Sequence, residues 1–166
     1  MLDLTHLHPM IVHFPIALLI VGFLADAIGL IFKKDFFIKA GLYLLILGTL
    51  GVVAAYLSGN YAGAGVTEAG ALKQALETHE EAATLTLWLM IGAALVRIAM
   101  VVLKKYVGVY RWVAFLIFFL GVLSIARTGF YGGELVYKHA AGVKFDLGFG
   151  NLESSNSDNS EINNED

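Results

Sequence analysis

The sequence predicts an all-α integral membrane protein folded as a four-helix bundle. Of its 166 residues, 58% are hydrophobic, a larger share than is usual in soluble domains. These residues are concentrated in four segments of about 20 residues, each long enough to cross a hydrocarbon core of about 30 Å as a helix. The chain contains no cysteine, which excludes disulfides, Fe–S clusters and thiolate chemistry.

The four spans are predicted at about residues 11–32, 37–57, 82–103 and 112–131, within a single membrane domain over residues 1–145. Short polar or Gly-rich connections separate them. Residues 1–10 contain no Lys or Arg, so the basic region of a signal peptide is missing, and we expect the first span to be retained.

Two further segments lie outside the spans. Residues 68–81 place Leu72, Leu76 and His79 on one helical face and acidic residues largely elsewhere, which predicts a short amphipathic helix at the outer face before the third span. Residues 146–166 carry six acidic and no basic residues, among many Asn and Ser. This composition cannot bury a core, and it predicts a disordered acidic tail.

The charge distribution predicts the orientation. Six basic residues lie in the two short loops at 33–39 and 104–111, namely Lys33, Lys34, Lys39, Lys104, Lys105 and Arg111. Short loops rich in Lys and Arg stay on the cytoplasmic side. We therefore expect a multi-pass protein of the bacterial inner membrane with both termini outside the cytoplasm.

The histidines are the main candidates for a functional site. Four of the five are predicted at the outer end of the bundle: His8, His13, His79 and His139. Ionisable residues at membrane depth are costly to place and commonly functional. On one continuous helix His8 and His13 would lie about 140° apart, so they converge only if His8 precedes the helix. We expect His13 and His79 to form the first ligand pair, with His8 and His139 as a second pair or as residues that orient the first.

Three chemistries are open for this set. Two imidazoles on facing helices can bind haem b through both axial positions. Three or four imidazoles would instead suit Zn or Cu. Arg127, near the outer end of the fourth span, favours haem because a guanidinium can pair with a propionate; it could also be an interfacial cation or a partner of Glu134. The third possibility is that the histidines are structural and that this protein is a partner subunit without a cofactor.

Asp26 and Arg97 form a separate pair at the cytoplasmic end. Each lies fifteen residues after the start of its span, at Ile11 and Ala82, so their depths in the membrane match. A charge inside the bilayer costs about 2.5–3.5 kcal/mol on insertion scales, which favours an ion pair between these residues. A proton route is the alternative function for them.

The motifs around the histidines resemble a known family. The strings HPxxVHFPIAL at residues 8–18 and GGxLVYxH at residues 132–139, with Asp26 and His79, are similar to the bacterial membrane family called domain of unknown function 2231, over roughly residues 5–145. The family has no settled activity. Its design is similar to that of small membrane cytochromes b, and relatives occur beside c-type cytochromes.

The resemblance implies electron transfer in the lipid bilayer, with a c-type cytochrome or another redox protein as partner; a homo-oligomer is also left open. No nucleophile arrangement or Walker-type loop indicates a hydrolase or transferase, and no basic patch with interleaved aromatic residues indicates nucleic acid.

Overall fold

The computed structural model describes residues 7–64 and 70–139, and within them the chain forms four α-helices. These are α1 (Leu7–Ile31), α2 (Asp35–Gly63), α3 (Ala71–Val102) and α4 (Val109–His139). All four are long and apolar enough to cross a membrane. The predicted all-α, four-span architecture is therefore confirmed. The tail at 146–166, like His6, lies outside the described residues.

The helices are longer than the predicted spans. The separate amphipathic helix predicted before span three is wrong in one respect, because the described part of that segment is continuous with α3. Residues 71–84 contain no Gly or Pro and are rich in Ala, Leu, Gln and Glu, which favour an unbroken helix. At 1.5 Å per residue the 32 residues of α3 extend about 48 Å, well beyond the hydrocarbon core.

The helices form two antiparallel hairpins. α1 packs on α2 and α3 packs on α4, while α2 with α3 and α1 with α4 close the bundle. Among the described residues no Cα atoms approach within 8 Å between α1 and α3, or between α2 and α4. These are therefore the diagonal pairs, and only side chains can meet across the bundle axis.

Glycines bring α1 and α2 close together. A Cβ at Gly22 would lie 2.8 Å from Leu44 Cβ, and one at Gly51 would lie 2.9 Å from Pro15 Cβ. A Cβ at Gly48 would overlap the Leu19 side chain. The missing side chains thus allow close packing between these two helices.

The centre of the bundle is apolar. Leu19, Leu45, Met90 and Phe118 are completely buried and belong to one cluster. Phe23 of α1 packs against this cluster and stacks on Phe115 of α4 with ring centroids 4.8 Å apart. This core separates two polar sites. One lies at the end of the bundle that carries the α1–α2 and α3–α4 loops, here called the loop end, and the other lies at the end where α1 and α3 begin.

Candidate histidine site and buried ion pair

The predicted ion pair at the loop end is confirmed. Arg97 Nη2 donates to Asp26 Oδ1 at 2.7 Å, and Nη1 donates to the other carboxylate oxygen. Asp26 is fully buried and Arg97 is 1% exposed. The two residues lie on the diagonal helices α1 and α3, so their side chains cross the bundle axis. This bidentate arrangement holds the two hairpins at one relative depth.

Two further contacts of Arg97 could not be predicted from the sequence. Its Nη2 also donates to the carbonyl of Ile38 at 3.1 Å, and its guanidinium lies over the Tyr106 ring, 4.5 Å from the centroid. Tyr106 lies in the loop between α3 and α4 and is buried. Burial raises the pKa of its hydroxyl to about 12, an increase that the neighbouring Arg97 opposes and Asp26 supports.

At the opposite end of the bundle lie His8 and His79, near the starts of α1 and α3. Both side chains are half-buried. They come from the diagonal helices α1 and α3, like the ion pair at the loop end. Each imidazole is held by the second helix of its own hairpin.

The hydrogen bonds determine which ring nitrogen carries the proton. His79 Nδ1 lies 3.2 Å from the carbonyl oxygen of Thr128, which can only accept, so Nδ1 must donate. His8 Nδ1 lies 2.9 Å from Ser58 Oγ. The Ser58 hydroxyl already donates to the carbonyl of Ala55 at 2.9 Å, so it accepts from His8. In both neutral imidazoles Nε2 is therefore left with a free lone pair.

Two glycines border these rings. A Cβ on Gly59 of α2 would lie 2.9 Å from His8 Cε1, and a Cβ on Gly132 of α4 would lie 3.1 Å from His79 Cε1. Larger residues at either position would displace the imidazole. The two histidines are thus placed by a hydrogen bond on one side and by a missing side chain on another.

A hydroxyl cluster lies next to the His79 contact. Thr86 Oγ1 is 2.6 Å from Ser124 Oγ and 2.8 Å from Thr128 Oγ1, and Thr128 Oγ1 donates to the carbonyl of Ser124 at 3.0 Å. These bonds tie α3 to α4 where Thr128 accepts from His79. They restrict the movement of the carbonyl that orients the imidazole.

His13 is placed differently. His8 lies inside α1, which begins at Leu7, so the arrangement in which His8 precedes the helix is wrong. His8 and His13 therefore face directions about 140° apart. The His13 side chain is exposed, and its Nδ1 donates to the Pro9 carbonyl one turn earlier, at 2.5 Å. Its ligand role stays a prediction.

The remaining candidates lie on α4. His139 is half-buried at the end of the helix. Arg127 is exposed and its guanidinium lies 5.5 Å from the Tyr131 ring centroid. Glu134, the alternative partner of Arg127, instead pairs with Lys138. The ligand role of His139 and the propionate role of Arg127 stay predictions.

The residues that orient the two histidines were missed at the sequence level. Ser58, Gly59 and Thr128 are of types that occur throughout membrane helices, and composition does not single them out. Gly132 was noted only as part of the GGxLVYxH string, without a role.

With this geometry described, the comparison with protein families can be stated. A family model described as Predicted membrane protein (DUF2231) matches residues 5–145. The chain belongs to this family. The match includes all four helices, His8, His79 and the ion pair, and it agrees with the resemblance found in the motifs. No curated protein and no solved structure matches the chain.

Proposed function

We propose that this member of the DUF2231 family is a bacterial inner-membrane protein that binds haem b through His8 and His79 and transfers electrons at the outer face. The observation that supports this most is the state of the two imidazoles. Both donate Nδ1–H to an acceptor of the protein and leave Nε2 free. Metal-ligating histidines almost always have their other ring nitrogen bonded in this way.

Two features around the rings support this proposal. His8 and His79 come from the diagonal helices α1 and α3, so they would hold the group between the two hairpins. Gly59 and Gly132 allow the imidazoles to pack directly against α2 and α4. When bound, haem supplies a one-electron iron couple whose potential depends on its axial ligands and its burial. The protein would orient the rings through Ser58 and Thr128, and Arg127 would pair with a propionate at the rim.

A closed zinc or copper site is less well supported. Such sites commonly take three or four protein ligands. Within residues 7–64 and 70–139 no three His, Asp or Glu side chains are grouped so that they could hold a metal ion. Two imidazoles match the number of axial positions of haem, and the zinc or copper hypothesis therefore becomes an outcome of the test.

The proposed orientation places the histidine site outside the cytoplasm. Lys33, Lys34, Lys104 and Lys105 all lie in the two loops at the Asp26–Arg97 end of the bundle. Because basic loops are retained in the cytoplasm, the His8–His79 end would face the opposite compartment. A c-type cytochrome or another redox protein could exchange electrons there.

The test is the visible spectrum of the purified full-length protein after expression with ample haem. We expect the wild type to give a reduced-minus-oxidised spectrum of six-coordinate haem b. His8→Ala and His79→Ala should each lose or shift it, because each opens one axial position. The matched control is His13→Ala, in the same helix as His8 but exposed, which should keep the spectrum.

Two results would overturn the proposal. One is a wild type without haem despite full supply. The other is a spectrum that survives both His8→Ala and His79→Ala. In either case zinc and copper content of the same variants should be measured. If metal content depends on these residues the site is a metal site, and if it does not the histidines are structural.

A further inference from the structure

The two ends of the bundle share one interval in the sequence. Asp26 and Arg97 are 71 positions apart, and His8 and His79 are separated by the same 71 positions. In each case the first residue lies on α1 and the second on α3, and Asp26 and Arg97 are in direct contact across the bundle axis. Two independent pairs with one spacing indicate that the positions of α1 and α3 correspond one to one.

The burial of the first helix in each hairpin follows this correspondence. Leu19 and its counterpart Met90 are both completely buried. Pro15 and Thr86 are also both buried. α1 ends at Ile31 and α3 at the corresponding Val102. Each is followed two residues later by a lysine in the left-handed conformation, Lys33 with φ 53° and Lys104 with φ 56°.

The second helices correspond with a shift of two residues. Leu45 and Phe118 are 73 positions apart and both are completely buried. Gly48 and Gly121 have the same separation, and each faces a buried core side chain, Leu19 or Met90. These two core residues are themselves counterparts in α1 and α3. The connection between α3 and α4 is three residues longer than that between α1 and α2, and α4 begins one position later than the shift of two predicts.

The glycines beside the histidines follow the same rule. Gly59 and Gly132 are also 73 positions apart. Gly59 lies against the Cε1 of His8, and Gly132 lies against the Cε1 of His79. Each hairpin therefore places an imidazole near the start of its first helix against a glycine at the corresponding position of its second helix. The acceptors Ser58 and Thr128 are 70 positions apart and do not correspond.

We infer that the chain is a tandem repeat of one helical hairpin, with residues 7–64 and 70–139 related by a pseudo-twofold axis along the bundle. His8 and His79 are equivalent positions on either side of that axis, and Gly59 and Gly132 are equivalent positioning residues. The site is shared between the repeats, so neither hairpin alone supplies it. The ligand role of the histidines rests on the proposed function, whereas the repeat itself does not.

If Gly59 and Gly132 are equivalent, their alanine variants should have effects of the same size. Alanine at Gly59 or Gly132 would bring a methyl group to about the same distance from an imidazole carbon. Alanine favours helix more than glycine does, so the helices should form. Changes beside a metal ligand typically weaken metal affinity 10–100-fold. We expect Gly59→Ala and Gly132→Ala to weaken haem retention by about 10-fold each, with the same change in the electron paramagnetic resonance of the oxidised haem.

The matched control is Gly129→Ala. Gly129 lies on α4 near Gly132, but a Cβ there would meet no atom within 4 Å. This variant should keep the haem affinity and the resonance of the wild type. If only one of Gly59→Ala and Gly132→Ala differs from the control, the two positions are not equivalent and the inference fails.

A second measurement needs no haem. The natural chain has no cysteine, so any thiol crosslink comes from introduced residues. His8→Cys combined with His79→Cys should form an intramolecular crosslink with a short bifunctional maleimide, whereas His13→Cys with His79→Cys should not, because His13 faces away. If the first pair crosslinks while the wild-type protein binds no haem despite full supply, the proposed function fails and the repeat geometry stands. If it does not crosslink, the inference is wrong.

Discussion

The buried ion pair allows the sharpest test of how the two hairpins are held together. Replacing Asp26 by Leu leaves the Arg97 guanidinium buried without its carboxylate, and replacing Arg97 by Met leaves the Asp26 carboxylate alone. Both side chains are at most 1% exposed, so solvent cannot compensate. Removing one partner of a buried pair costs about 3–5 kcal/mol, and we expect each single variant to lose that much unfolding free energy.

The double variant Asp26→Leu with Arg97→Met should be much less damaged. It leaves no charge unpaired, and replacement of a buried pair by apolar residues is often neutral. What it still loses is the bond to the Ile38 carbonyl, about 0.5–1.5 kcal/mol, and the contact with the Tyr106 ring, about 0.5–1 kcal/mol. A loss of about 1–2.5 kcal/mol follows from these two contacts. The two single losses together, about 6–10 kcal/mol, should therefore exceed the loss of the double variant by at least about 3.5 kcal/mol, which lies at or above the upper end of measured couplings.

The assay is reversible unfolding in mixed detergent, followed by the fluorescence of Trp88 and Trp112. Lys138→Met is the control, because Lys138 belongs to an exposed ion pair with Glu134, one turn away. Its effect should stay below about 0.5 kcal/mol. If the double variant loses as much free energy as the two single variants together, the residues are not energetically coupled and the reasoning is refuted.

Three other predictions follow from the structure. A reporter fused after Lys34 should lie in the cytoplasm, and one fused after Asp166 should lie outside it. The reverse pattern would place the histidine site on the cytoplasmic side. The pKa of the Tyr106 hydroxyl is raised to about 12. Because the unfolded chain loses the hydroxyl proton at a lower pH than the folded protein, the free energy of unfolding should fall between pH 10 and pH 12. Tyr106→Phe should make this dependence on pH smaller. Gly48→Ala should destabilise the bundle by about 1–3 kcal/mol through overpacking against Leu19, whereas Gly92→Ala, with no atom within 4 Å of its Cβ, should not; equal effects in unfolding experiments would contradict the packing.

The four spans and the ion pair could be predicted because both depend on one-dimensional quantities. Length and hydropathy determine whether a segment crosses the membrane, and residue count along a helix determines depth. Asp26 and Arg97 were paired from their equal distances to the span starts, and the bidentate contact confirms it. Burial of two opposite charges at one depth leaves few other solutions.

The direction in which each histidine faces could not be predicted in the same way. Successive residues of a helix point about 100° apart, and the sequence does not show which face of α1 packs on the bundle at this end. The packing of α1 leaves His8 half-buried and His13 exposed. The roles of Ser58 and Thr128 could be identified only from the folded structure, because their contacts with the histidines join residues about 50 positions apart.

The ion pair also has a consequence for the way the protein is made. Asp26 enters the membrane with the first hairpin, and its partner is synthesised 71 residues later. Until α3 arrives, the first hairpin carries a lone acid at a cost of about 2.5–3.5 kcal/mol. A bundle of two first hairpins would bury two carboxylates, and one of two second hairpins would bury two guanidiniums. Association of the first hairpin with the first hairpin of another copy is therefore unfavourable. Its most favourable partner is the second hairpin of the same chain, which is synthesised next.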